Sequence, residues 1–143
     1  MPSLVFEQTP LCIVMLMGRN NPSDAEWDTY LSAIAAGIAA GMPARALVIS
    51  NGGAPTPAQR ARLEKATTPI SGQLKAAIVT GSTFVRGVLN AMALVNRGYR
   101  AFPPDKLDEA FAYLDIRPAN AGELRAAVAQ LRANLGEGPA NHQ

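Results

Sequence analysis

The sequence predicts an α/β fold: a central mixed sheet of four to five strands in the order β-β-α-β-α-β-α-β-α, followed by one extra C-terminal helix. Two observations carry that expectation. Apolar runs of strand length recur at 11–17 (LCIVMLM), 46–49 (ALVI) and 75–80 (KAAIVT). Each is followed by a turn or helix-start signal and then by a helical segment. Strands that alternate with helices in this way pair in parallel through right-handed crossovers.

The elements follow in order. Residues 4–6 (LVF) and 11–17 are two apolar segments separated by EQTP, which reads as a hairpin with Thr9 and Pro10 near its turn. The run LCIVMLM is rich enough to be buried on both faces. Ser23 and Glu26 then form a capping box, in which each side chain satisfies a backbone N–H that the helix leaves free. Trp27, Tyr30, Leu31, Ile34 and Ile38 follow as one stripe, with Gly41 as the terminating glycine. Gly37 sits inside this helix at a cost of about 1 kcal/mol against alanine, which a close backbone approach to the sheet would justify.

After the strand 46–49, Thr56 caps a second helix with Pro57 at its first position and Gln59 completing the box. That helix has to end before Pro69. After KAAIVT, the turn Gly81-Ser82-Thr83 leads to a stripe of Val85, Val88, Leu89, Met92 and Val95, closed by Gly98. Residues 99–102 make a short last strand. Asp105 is the expected cap of a helix carrying Leu107, Ala110, Phe111 and Leu114. Asn120 and Glu123 are the expected capping pair of a final helix lined by Leu124, Val128, Leu131 and Leu135, which Gly136 ends.

The 143 residues fit one domain, and 48% hydrophobic content is enough for a core. A net charge of +2 comes from 13 basic and 11 acidic side chains, with the arginines scattered and no basic face gathered for nucleic acid. The single cysteine, Cys12, lies in an apolar run and reads as core in a reducing compartment. The lone His142, in a polar tail, is neither a metal site nor a general base. No leader and no transmembrane segment are read, so a cytoplasmic location is expected. No cofactor is implied.

The phrase RAFPPDKLDEAFAYL, with KAAIVTGS before it and the hairpin and first helix ahead of both, resembles the SpoIIAA-like or STAS group of bacterial proteins. The resemblance divides the chain into a STAS-like domain over 1–117, an additional helix over 118–136 packed on or extending it, and a disordered tail over 137–143. It implies a non-enzymatic regulatory module that acts by protein–protein contact. A protein partner is expected, and a homodimer is one option. In anti-sigma factor antagonists of that group, a kinase phosphorylates a serine preceded by aspartate at the start of the second helix. Here that place holds Thr56 preceded by Pro55, which argues against phosphorylation control.

Two loops are the candidate ligand- or partner-binding surface. Ser50, Asn51, Gly52, Gly53 and Thr56 lie where a parallel strand feeds a helix N-terminus, the usual ligand crevice of an open α/β sheet. Thr80, Ser82, Thr83 and Arg86 lie at the next such place, with Arg86 available as counter-charge to an anion. Ordinary turn and cap chemistry accounts for the same residues. The acidic groups Asp24, Glu26, Asp28 and Asp105, Asp108, Glu109 sit where helix dipoles favour them. No nucleophile elbow or P-loop is present, and no residue set is suited to catalysis. The alternative function is a carrier or sensor for a lipid or an anion, held between the sheet and the first or third helix.

Overall fold

The structure, a computed structural model, describes residues 2–92 and 98–136. Its sheet has five strands in sequential order: β1 (Leu4–Gln8), β2 (Ile13–Met17), β3 (Arg45–Ser50), β4 (Lys75–Thr80) and β5 (Tyr99–Phe102). β1 runs antiparallel to β2, and β2 to β5 are mutually parallel. The helices are α1 (Asp24–Ala39), α2 (Pro57–Thr67), α3 (Thr83–Met92), α4 (Leu107–Tyr113) and α5 (Ala121–Leu135), with short 3-10 turns before α4 and α5 and after α2. The α/β class, the mixed sheet and the element order are as the sequence predicts. Val95 of the expected third stripe, His142 and the rest of 137–143 lie outside the described residues.

Sequential strand order sends every crossover in the same direction across the sheet. One hand of crossover then stacks α1, α2 and α3 on one face, and α4 and α5 return to cover the other. The cores divide accordingly. Val14, Leu16, Leu47, Ile49, Val79 and Phe102 pack against α4 and α5. Ile13, Met15 and Met17 pack with Leu4 against Trp27, Tyr30 and Ile34 of α1. Register makes rows of this second face. Ile13, Ala46, Ala76 and Tyr99 stand side by side, then Met15, Val48, Ile78 and Ala101, then Met17, Ser50 and Thr80.

α5 is integral to the core. Leu124, Val128, Leu131 and Leu135 are at most 5% exposed and belong to the same apolar cluster as β2 and β3. Two expected caps are absent. Asn120 makes no side-chain capping bond, and α5 starts instead from a 3-10 turn at Pro118–Asn120. Asp105 lies inside a 3-10 turn at Pro104–Lys106, one residue too early to cap α4. In both places a proline sets the turn, and the turn rather than a side chain delivers the chain into the helix. Gly37 also differs from expectation: a Cβ there would stand 3.0 Å from Oε1 of the Gln8 side chain, not against sheet backbone.

Candidate functional site

The two candidate loops lie side by side, because β3 and β4 are neighbours and Ser50 pairs with Thr80 in register. Their polar groups are directed into the loops themselves. Ser50 Oγ donates to the Gly53 carbonyl at 2.5 Å and accepts from the Gly52 N–H at 3.0 Å. Asn51 N–H donates to the Met17 carbonyl, and Gly53 N–H to that of Gly18 at 2.8 Å. Gly53 has no room for a side chain: a Cβ would overlap the Asn20 carbonyl oxygen and stand 2.8 Å from that of Gly18. Thr56 and Gln59 form the complete capping box. In the second loop, Thr80 Oγ1 accepts from the Ser82 N–H and Ser82 Oγ accepts from the Val85 N–H. Arg86 donates to the Thr80 carbonyl at 2.7 Å and to Thr83 Oγ1 at 3.3 Å. The guanidinium is thus held against its own loop.

Glu26, Asp28 and Asp108 are likewise engaged. Glu26 Oε2 accepts from the N–H groups of Ser3 and Leu4, and Oε1 from that of Ser23. Burial pushes the Glu26 carboxyl up, but these bonds outweigh it and hold the group below its ordinary value. Asp28 pairs with Arg62, and Asp108 with Arg125. Among the described residues no cluster of His, Cys, Asp and Glu is placed to hold a metal. Cys12 is fully buried, and burial pushes its thiol up to about 11, so it stays protonated and unreactive at neutral pH.

What the sequence reading placed only in outline is a cavity of about 340 Å³ between the helical layer and the sheet. Its cause is the composition of α2. The inward positions of that helix are Gln59, Leu63 and Thr67, and Leu63 is its only large apolar residue. A helix without an apolar stripe gains little by descending onto a sheet. α2 docks sideways on α1 instead, through polar bonds. Trp27 Nε1 donates to the Gln59 carbonyl at 2.9 Å. Gln59 Nε2 donates to the Pro22 carbonyl at 3.1 Å and to Asp24 Oδ1 at 2.9 Å.

The floor beneath α2 is built from apolar residues of the central strands, Ala46, Val48, Ala76 and Ile78. Met15, Trp27, Ile34 and Ile38 wall one side, and Val85, Leu89 and Tyr99 the other. Two tyrosines, Tyr30 and Tyr99, line this apolar space. Tyr30 is 2% exposed, with its ring against Phe6 and Trp27 at centroid separations of 5.4 and 5.3 Å. Among the described residues its hydroxyl has no hydrogen-bond partner, yet no fully enclosed side-chain polar atom is left unsatisfied. Tyr30 lines the cavity, so the exposure its hydroxyl retains is toward that space. Burial first, and then the neighbouring Tyr99 and Cys12, push the Tyr30 phenol above its ordinary value, which keeps it a donor. Tyr99 is raised in the same way, by burial and then by the Glu64 carboxylate.

Comparison with protein-family models, curated proteins and solved structures finds no match. No helix among the described residues is long and apolar enough to cross a membrane.

Proposed function

We propose that this chain is a non-enzymatic small-molecule-binding protein, a carrier or sensor, which holds an apolar ligand in the cavity beneath α2. The supporting observation is the cavity itself. At 340 Å³ it falls in the range of small-molecule sites, and its walls are mostly aliphatic and aromatic with a few convergent hydroxyls. The space opens at a rim where Arg60 and Glu64 are exposed, so a molecule can enter it from solution.

The regulatory interaction module that the SpoIIAA-like resemblance implies draws support from the adjacency of the loops at 50–56 and 80–83. It ranks second because their hydroxyls, and Arg86, are engaged within the loops.

The test is titration of the purified protein with the neutral apolar dye Nile red, beside an Ala46→Phe variant that puts a ring on the cavity floor. Saturable fluorescence enhancement by the wild type, reduced at least tenfold in affinity in a variant with an unchanged circular dichroism spectrum, is the expected result. Equal dye binding by both proteins sinks the reading.

A further inference from the structure

We propose that the cavity beneath α2 is selective for a neutral, largely apolar molecule bearing a carbonyl-type oxygen, and that the buried Tyr30 hydroxyl donates the hydrogen bond that recognises it. This inference rests on the ligand-binding reading above and adds the chemistry of the ligand.

Three observations carry it. The first is the lining. It runs from Met42 and Leu74 at one end of the central strands to Ser50 and Thr80 at the other, and across them from Met15 on β2 to Tyr99 on β5. Aliphatic and aromatic side chains make up most of it, so an occupant gains by being largely apolar.

The second is charge. An ionised head group in this space would need a counter-charge. Arg45 is bound to Asp115 and to the carbonyls of Gln73 and Leu114. Arg60 and Glu64 line the cavity from α2 with opposite charges one helical turn apart, and both are exposed at its rim. Neither sign prevails, so an ion entering the apolar interior would lose its hydration without recompense.

The third is Tyr30. Its ring is fixed by Phe6 and Trp27, and its hydroxyl is a donor without a protein acceptor among the described residues. A ligand oxygen that meets it satisfies a polar group that the fold leaves open to the cavity, and an all-carbon ligand does not. Discrimination by a buried donor of this kind exceeds what apolar contact alone provides.

The experiment is competition against Nile red by methyl laurate, laurate and dodecane at neutral pH, on the wild type and on Tyr30→Phe. Methyl laurate is expected to displace the dye about tenfold more tightly than dodecane, and laurate more weakly than its ester. Tyr30→Phe keeps the ring contacts, so it is expected to erase the ester's advantage and leave dodecane unchanged. The inference is overturned if ester and alkane compete equally on the wild type, a comparison that does not depend on the variant folding. It is also overturned if the ester's advantage survives in Tyr30→Phe, or if laurate competes best. Failure of all three to displace a bound dye overturns the cavity reading itself, and this inference with it.

Discussion

Gly53 shows how tightly one residue can be specified by backbone alone. Its N–H reaches the Gly18 carbonyl at 2.8 Å, and the Asn20 carbonyl occupies the space a Cβ would need. Gly53→Ala has to push apart the two loops that continue β2 and β3, and the atoms in the way are main chain, which cannot rotate aside. We expect a loss of about 3 kcal/mol in urea unfolding, at the upper end for overpacking by one methyl group. A loss under about 0.5 kcal/mol would place it among ordinary surface substitutions and refute the argument. In the sequence, Asn51-Gly52-Gly53 reads as a turn before it reads as a ligand loop. The residue types are the same in both cases, and what decides is which acceptor each hydroxyl meets. Ser50 Oγ meeting the Gly53 carbonyl is such a fact, and it depends on loop closure in three dimensions.

At the scale of elements, α1 and α2 contrast. α1 announces itself by a capping box and an apolar stripe, and it folds where its sequence says. α2 has the same start signal but an inward line of Gln59, Leu63 and Thr67, two of them polar and buried. That contrast is legible, as is the alternation in ALVIS and KAAIVT that puts Leu47, Ile49, Ala77 and Val79 on one face and Ala46, Val48, Ala76 and Ile78 on the other. Joining the two into a cavity requires the strand register, which no local pattern encodes. The roles of Tyr30 and Gln59 were hidden for the same reason: a stripe tyrosine and a box glutamine look alike whether or not they face a cavity. Gln59→Leu tests the sideways docking. It leaves the Pro22 carbonyl and the Thr56 N–H without their partner while keeping the volume. We expect about 2 kcal/mol of destabilisation by chemical denaturation, the usual penalty for stranded polar groups. A neutral or stabilising result would mean that α2 is held by packing alone.

For the whole molecule, charge ties the starts of β3 and β4 to the segment that follows α4. Arg45 from β3 and Lys75 from β4 converge on Asp115 just after α4, at 2.8 and 3.1 Å. Hydrogen bonds from Arg45 and then Lys75 hold the Asp115 carboxyl below its ordinary value of 3.8. The folded pKa is therefore lower than the unfolded one. Asp115 contributes stability fully above the unfolded value and loses it as pH falls through the folded one. The melting temperature of the wild type should exceed that of Asp115→Asn at neutral pH, and the two curves should converge in acid below about 3.8. A gap that stays constant through that acid range would show that the pairing does not govern the difference.

The return of α5 across β1 and β2 bears on the order in which the chain is made. Leu124, Val128, Leu131 and Leu135 are synthesised more than a hundred residues after the Val14 and Leu16 they shelter. Until they emerge from the ribosome, β1 and β2 stand bare on that side, and nascent chains carry them into the crowded cell unprotected. A chain released before α5 is made is therefore expected to aggregate, its face around Val14 and Leu16 left without cover.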